Sequence, residues 1–161
     1  LRFSPDAPAV AAELGCQVVL MHMLGEPGTM QDAPRYDDVV AEVEAFLLAR
    51  AEAALAAGVA RDRLWLDPGI GFGKTRKHHI ALLRALPRLA AHGYPLLFGV
   101  SRKSFIAMLD PSATDAGDRL GGSLALALAA ARAGVAAVRV HDVRETVQAL
   151  TVQAAIEGEG C

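Results

Sequence analysis

The sequence predicts an α/β fold in which parallel strands are joined by helical crossovers. Two observations support this prediction. Short runs of Val, Leu, Ile and Met alternate along the chain with longer amphipathic segments, and glycines or capping residues mark where those segments begin and end. Short aliphatic runs are typical of strands buried on both faces, and a strand followed by a helix of about ten or more residues is the unit of a parallel sheet.

The first elements are a helix, a strand and a second helix. A helix over residues 6–14 precedes Gly15, a residue type that favours the left-handed conformation in which helices often end. An apolar strand over 17–23 follows. Asp37 is placed to cap the next helix, whose apolar positions recur at helical spacing until Gly58.

The rest of the chain repeats the alternation. Further strands are predicted over 63–67, 96–100 and 136–141. Helices are predicted over 79–91, from near Ser101, over 118–133 and over 144–156. Gly93 and Gly134 follow two of these helices, where a glycine commonly ends a helix.

Composition excludes several classes of function. The 161 residues carry 16 Lys and Arg against 18 Asp and Glu, a formal charge of −2 that argues against nucleic acid or an anionic membrane as the main partner. The uncharged stretch 120–131 is closed by Arg119 and Arg132, short of the ~18 apolar residues of a membrane span. Cys16 and Cys161 form no spaced framework, so we expect a cytoplasmic location.

The most informative segment follows the second strand, where Asp67 begins the run Asp-Pro-Gly-Ile-Gly-Phe-Gly-Lys. A carboxylate at a strand end can accept paired N–H donors from a planar ligand, although Asp67 can equally open an Asp-Pro turn. The glycines allow backbone to approach a ligand closely. Gly73-Lys74-Thr75 is no P-loop, because Pro68 stands where the first glycine is needed, and G-x-G-x-x-G is absent from the run.

Basic residues follow the third and fourth strands. Ser101 is predicted to cap a helix with Lys103 in its first turn, where the helix dipole disfavours a cation. A ligand would explain Lys103 there, and a solvated helix start is the alternative. Arg139 and His141 share a face of the fourth strand and together offer cationic donors to an anionic group.

Methionine and histidine residues are less specific signals. Met21 and Met23 share a face of the first strand, which suits either a flat heterocycle or ordinary core packing. His22 faces the other way and is interpreted as structural. The remaining histidines have no metal-ligand spacing and are predicted to lie at the surface: His78, His79 and His92.

At these residues the sequence resembles the dihydropteroate synthase family, pterin-binding enzymes of folate synthesis that sulfonamide drugs target. The matching segments occur in the family's order: 20–23 with Gly25, Pro27 and 29–31, then 67–74, 99–104, 121–125 and 139–143. The resemblance implies an eight-stranded β/α barrel. These 161 residues hold about four strand-helix units, whereas a complete barrel needs ~250 residues, so we expect 1–161 to be the carboxyl-terminal portion of a pterin-binding domain, an incomplete barrel. The family's early motifs are missing and the chain opens on Leu1, which fits that expectation.

The resemblance also implies a reaction, the joining of 4-aminobenzoate to a dihydropterin that carries a diphosphate leaving group. It implies hydrogen bonds from the pterin ring to Asp67 and from Lys103 to the ring. Met21, Phe72 and Gly99 are implied to line the pterin slot.

The other implied roles concern the second substrate and the leaving group. Ser104, Gly71 and the aliphatic part of Lys103 are implied to lie near the aminobenzoate. Arg139 and His141 are implied to hold the diphosphate, which makes them, with Lys103, the implied catalytic residues. The family's Mg²⁺ ligand is expected outside this chain, and a homodimer is implied.

Two alternatives remain open from the sequence. One is a half-barrel that binds pterin through Asp67 and Lys103 without turnover of its own. The other is a methyltetrahydrofolate-dependent methyltransferase, against which Arg139 and His141 argue because methyl transfer has no diphosphate to hold.

Overall fold

Four short parallel strands carry the architecture of residues 4–158, the part of the chain that the computed structural model describes. They are β1 (Val18–Met21), β2 (Leu64–Asp67), β3 (Leu97–Phe98) and β4 (Ala137–Val138). β1 pairs with β2, β3 pairs with β4, and a parallel bridge between Leu66 and Leu96 joins the two pairs. The strands therefore lie side by side in chain order, as in an arc of a β/α barrel.

Helices connect the strands and follow the last one. They are α1 (Ala7–Leu14), α2 (Val39–Ala56), α3 (Arg76–Arg84), α4 (Leu86–Ala90), α5 (Ser104–Ala107), α6 (Leu120–Arg132) and α7 (Val143–Glu157). The predicted fold class, parallel strands with helical crossovers, is confirmed. Among residues 4–158, no helix combines the length and apolar character needed to cross a bilayer.

The two faces of the sheet differ in exposure. Val18 and Leu20 of β1 are buried towards the helices, and Val43 and Leu47 of α2 are almost fully buried in the same core. Val19, which points to the opposite face, is 45% exposed. Burial of apolar area therefore fixes one face of the sheet and leaves the other open.

The strands are shorter than predicted at their carboxyl ends. β3 stops at Phe98 and β4 stops at Val138, where the sequence predicted strands to continue to 100 and 141. The Arg139 N–H still donates to the Phe98 carbonyl at 3.0 Å, but two residues further on the His141 N–H donates to a side chain, Ser101 Oγ, at 3.2 Å. The aliphatic pattern continues, but the chain has left the sheet to line the candidate site.

The cap of α2 is one residue later than predicted. Asp38, and not Asp37, is the N-cap, and its Oδ1 accepts from the N–H groups of Val40 and Ala41 at 2.9 and 3.1 Å. The Asp37 N–H instead donates to Glu42 Oε1 at 2.8 Å. Two adjacent aspartates offer the same capping chemistry, so the sequence alone does not decide between them.

The helix predicted over 79–91 differs in its start and its continuity. α3 begins at Arg76 because Thr75 caps it in a reciprocal arrangement with His78, whose Nδ1 accepts the Thr75 N–H at 3.2 Å. The helix is then interrupted at Ala85, between α3 and α4. Pro87 has no N–H to donate to the carbonyl four residues earlier, which explains the interruption.

Candidate functional site

The candidate site lies at the carboxyl ends of the strands, on the sheet face turned away from the helices. Met21 and Asp67 are paired in register at the ends of β1 and β2, so their side chains are neighbours on that face. Gly99 and Arg139 follow β3 and β4, and a Cβ at Gly99 would lie 3.1 Å from Arg139 Nη2. The fold thus brings together four residues that the sequence placed at separate strand ends.

Asp67 is the anionic centre of this face and is 5% exposed. Its Oδ1 accepts the Gly69 N–H at 2.7 Å, which is the turn-forming bond expected for an Asp-Pro-Gly segment. Burial raises the pKa of Asp67, although the Gly69 bond and the nearby cations Arg139, Lys103 and Lys74 act in the opposite direction. The carboxyl therefore shapes the turn and also remains on the face of the site.

Lys103 lies against the glycine-rich loop that follows β2. Its Nζ is 4.5 Å from the centroid of the Phe72 ring, and a Cβ at Gly71 would lie 3.3 Å from its Cδ. Gly71 also has a φ of 88°, a conformation that side-chain-bearing residues rarely adopt, and the lysine side chain occupies the space beside it. Burial, followed by repulsion from Arg139, lowers the pKa of Lys103. Phe72, Gly71 and Lys103 thus form one continuous surface next to Asp67.

Cationic side chains surround a cavity of about 270 Å³ next to this surface. Its lining consists of Gly99, Ser101, Lys103, Arg139, Val140 and His141. Arg139 and His141 both line this cavity, although both lie beyond the end of β4 and not on it as predicted. His141 Nδ1 lies 3.1 Å from Ser101 Oγ, so the hydroxyl holds the ring in place. Lys103, Arg139 and His141 together suit an anion with several oxygens.

Ser101 is not the helix cap that the sequence predicted. α5 begins three residues later, at Ser104, and Lys103 rather than Ser101 is its N-cap residue. Ser101 is instead 5% exposed and uses its hydroxyl on His141. Lys103 therefore stands directly before a helix of only four residues, and its Nζ lies over the Phe72 ring.

Arg102 positions Lys103 through bonds that sequence analysis did not anticipate. It is the non-glycine residue with a positive φ, 58°, among residues 4–158. Its N–H donates to Ser123 Oγ at 2.9 Å, its carbonyl accepts from Arg119, and its guanidinium grips the Asp142 carboxylate with two nitrogens. The strained backbone is thus held from three sides, which fixes the direction of the next residue.

A second cavity, of about 370 Å³, lies on the other side of the glycine-rich loop. Its lining includes Gly71 and Ser104, the two residues that the resemblance associates with aminobenzoate, together with Gln31 and His79. Gln31 Nε2 donates to the Gly71 carbonyl at 2.6 Å. The first long loop of the chain therefore meets the glycine-rich loop at this cavity.

Two functional neighbours were missed at the sequence level. His79 was predicted to lie at the surface, and this is wrong: it is 2% exposed, and its Nε2 accepts the Gly71 N–H at 2.9 Å. Its spacing to Leu82 and Leu86, three and seven residues on, was the available signal. Lys74 closes the glycine-rich run, in which the sequence assigned it no role of its own, yet it is 1% exposed and bonds to His22. The structural interpretation of His22 is confirmed by that contact.

The described residues do not assemble a metal centre of their own. Across residues 4–158, no three or more His, Cys, Asp or Glu side chains come together in a way that could hold an ion. The site offers cations where a diphosphate would lie, so the described residues by themselves do not fit Mg²⁺.

Sequential parallel strands with a buried acid and a cationic cavity at their carboxyl ends define a strand-end ligand site on a β/α barrel arc. Residues 1–141 match the family model described as pterin binding enzyme. The chain therefore belongs to the pterin-binding enzyme family.

Individual members of this family that resemble the chain in sequence and structure are dihydropteroate synthases. The dihydropteroate synthase of Escherichia coli strain K12 is 48% identical over 151 residues, which cover 92% of this chain and 52% of that protein. The structure of the Thermus thermophilus enzyme in complex with 4-aminobenzoate superposes with a TM-score of 0.90 at 46% identity, over 96% of this chain and 62% of that one. The Xanthomonas albilineans enzyme in complex with 7,8-dihydropteroate gives 0.89 at 45% identity, over 98% and 56%. The chain thus spans about half the length of these relatives and has the fold of half a β/α barrel.

Proposed function

We propose that these residues form the carboxyl-terminal half of a dihydropteroate synthase. The complete barrel would condense 4-aminobenzoate with 6-hydroxymethyl-7,8-dihydropterin diphosphate to give 7,8-dihydropteroate and diphosphate. The observation that carries this proposal is a buried carboxyl, Asp67, that shares one strand-end face with the cavity of Lys103, Arg139 and His141. The names of the relatives and of their ligands support it.

The pterin ring is assigned to the surface around Asp67. A pterin presents an amino group and a ring N–H side by side, and an ionised carboxylate accepts both. Lys103 donates to an acceptor on the ring. Phe72 and Met21 supply flat and adaptable apolar contact, and Gly99 supplies a wall without a side chain.

The diphosphate is assigned to the cavity of about 270 Å³. Arg139 can grip two oxygens at once, and His141, held by Ser101, can donate a ring N–H. When the carbon–oxygen bond at the pterin methylene breaks, the bonding electron pair leaves with the diphosphate. Cationic side chains that already surround the diphosphate stabilise the negative charge that develops on its leaving oxygen.

The aminobenzoate is assigned to the cavity beside Gly71 and Ser104. Its amine nitrogen forms the new bond to the methylene carbon and releases one proton to solvent. A neutral aniline nitrogen is already nucleophilic, so no side chain is assigned as a general base. The protein's task is to hold the two substrates in line.

Three further features belong to the proposal. We propose that Mg²⁺ accompanies the diphosphate on a ligand outside this chain, that the barrel forms a homodimer, and that the protein is cytoplasmic. α7 exposes two apolar pairs on different sides of the helix, Val143 with Val147 and Val152 with Ile156, and either side favours a partner surface. The exposed free thiol of Cys16 favours a reducing compartment.

The test uses a barrel completed with the amino-terminal part of the E. coli relative, fused ahead of this chain. Purified fusion is mixed with 4-aminobenzoate, the dihydropterin diphosphate and Mg²⁺, and diphosphate release is followed. We expect aminobenzoate-dependent release that falls at least about a hundredfold in Arg139→Ala. Arg132→Ala is the matched control, because Arg132 is an exposed side chain at the end of α6 that pairs with Glu157 and lines neither cavity of the site. Pterin binding without release would favour the binding half-barrel, and release that is insensitive to Arg139→Ala would contradict the assigned diphosphate site.

A further inference from the structure

Lys74 is a buried cation to which the proposed reaction assigns no step, although it also lines the cavity assigned to the aminobenzoate. It is 1% exposed, and its Nζ contacts three acceptors: the carbonyls of Gly69 and Phe72, each at 3.0 Å, and His22 Nδ1 at 2.9 Å. An ammonium group has three N–H donors and no acceptor. The charged side chain therefore finds one acceptor for each donor, with the His22 ring proton on Nε2.

These bonds join two strand ends that carry the site. His22 directly follows β1, and its N–H donates to the Asp67 carbonyl at 3.0 Å. Gly69 and Phe72 belong to the loop that follows β2. A Cβ at Gly69 would lie 1.8 Å from the His22 carbonyl oxygen, so loop and strand end are in direct contact. Lys74 crosses this junction from inside the protein.

We propose that Lys74 is a positioning residue for the ring-binding half of the site. Its ammonium ties the loop 69–73 to the end of β1 and so sets where Asp67, Gly71 and Phe72 meet the substrate. This inference rests on the proposed function for the identity of the substrate, but the hold on the loop is a property of the chain itself.

The hold depends on the charge of the lysine. A neutral amine keeps two donors for the two carbonyls and loses the charge that strengthens both bonds. Burial lowers the pKa of Lys74 to about 7, and Asp67 opposes that effect. The titratable groups that face Lys74 from the neighbouring elements are His22, Asp67, His78 and His79. We therefore expect the loop to loosen as the pH rises through about 7.

The experiment compares Lys74→Met with Lys77→Met, an exposed lysine three residues along the chain, in the fused barrel described above. Affinity for the hydroxymethyl dihydropterin without diphosphate is measured by calorimetry from about pH 6 to about pH 9. Omitting the diphosphate removes its own titration. In the unsubstituted protein the affinity should fall with rising pH. In Lys74→Met it should be at least about tenfold weaker at the acid end and lose this pH dependence, whereas Lys77→Met should match the parent.

A second measurement does not need the variant and therefore still tests the proposal if Lys74→Met does not fold. Hydrogen exchange of the Gly71 and Phe72 amides is measured in the unsubstituted protein and corrected for the intrinsic rate at each pH. The protection of these two amides should fall as the pH rises through about 7. A folded Lys74→Met with the parent's affinity and pH profile, or loop protection that does not change with pH, would overturn the proposal. If the unsubstituted fused barrel releases no diphosphate, the proposed function is refuted. The hydrogen-exchange experiment then still decides the role of Lys74.

Discussion

Asp67 both forms a turn and faces the candidate site, two roles that the sequence leaves as alternatives. Its carboxyl closes the Asp-Pro-Gly turn by accepting the Gly69 N–H, and it remains 5% exposed on the face of the site. The turn bond uses one lone pair of one oxygen, so the other oxygen retains its capacity for a ligand. The turn is thus part of how the acid is presented.

We expect Asp67→Asn to weaken binding of the dihydropterin diphosphate by about 1.5–3 kcal/mol, since a charged acceptor is replaced by a neutral amide. Calorimetry on the fused barrel measures this directly. Asp62→Asn, at a side chain that is 78% exposed, is the matched control and should leave the affinity unchanged. Equal affinities for the parent and Asp67→Asn would remove Asp67 from the ring-binding site.

His79 makes a prediction about acid stability. Burial is the main cause that lowers its pKa from 6.5 to about 4 in the folded protein. Because the unfolded chain binds the proton more readily, this group's contribution to stability is complete above about pH 6.5 and is lost as the pH falls towards 4. Replacement with Gln, which keeps an acceptor for the Gly71 N–H, should reduce this acid loss by about 1–3 kcal/mol. Urea unfolding of both proteins across that pH range provides the measurement, and parallel curves would contradict the argument.

The chemistry-bearing residues after each strand could be predicted, because parallel strands end at a common edge. The hydrogen bonds of the residues behind them could not. Lys74 and His79 are polar, and polarity argues for the surface unless the buried partners are known. Those partners, the carbonyls of Gly69 and Phe72 and the N–H of Gly71, are backbone groups that no sequence pattern displays.

At the scale of elements, tertiary bonds override local helix signals around β3. The serine predicted to cap a helix, Ser101, contacts His141, and the following residue adopts a left-handed conformation held by Ser123 and Asp142. Ser123, in the first turn of α6, takes part in the same contacts. Ser123 accepts from Arg102 and donates to the Arg119 carbonyl at 2.7 Å.

The two glycines before that serine differ sharply in their surroundings. A Cβ at Gly122 would lie 2.6 Å from Ile106 Cγ2, whereas a Cβ at Gly121 would meet nothing within 4 Å. We expect Gly122→Ala to destabilise the protein by about 1–3 kcal/mol through overpacking against α5. Gly121→Ala should stabilise it by about 0.5–1 kcal/mol, because alanine is the better helix former.

Denaturant unfolding of the two alanine variants tests this pair, and each serves as the control for the other. Since α5 directly follows Lys103, Gly122→Ala should also weaken pterin binding in the fused barrel. Two variants of equal stability would show that Ile106 moves aside without loss of stability, and that the close contact between α6 and α5 does not require glycine at position 122.

At the scale of the whole molecule, the order of the strands could be predicted and their closure could not. Each strand-helix unit carries its own pattern, so the arc follows from the chain. The open face is different: Val19 is 45% exposed there, although it lies in an aliphatic strand whose pattern predicts burial on both faces. That pattern is appropriate to a closed barrel, whose interior would cover it.

The last prediction concerns that closure. Within residues 4–158, β1 pairs with β2 along one edge. Successive N–H groups of a strand point to opposite edges, and the His22 N–H points to β2. The N–H groups of Val19 and Met21 therefore point to the other edge. Addition of the amino-terminal part of the E. coli relative as a separate chain should slow amide exchange at Val19 and Met21. Leu20, whose N–H faces β2, is the internal control and should change least. Diphosphate release should appear in proportion to that protection, because the same closure covers the site; release without protection of β1 would mean that the added chain completes the site by another geometry.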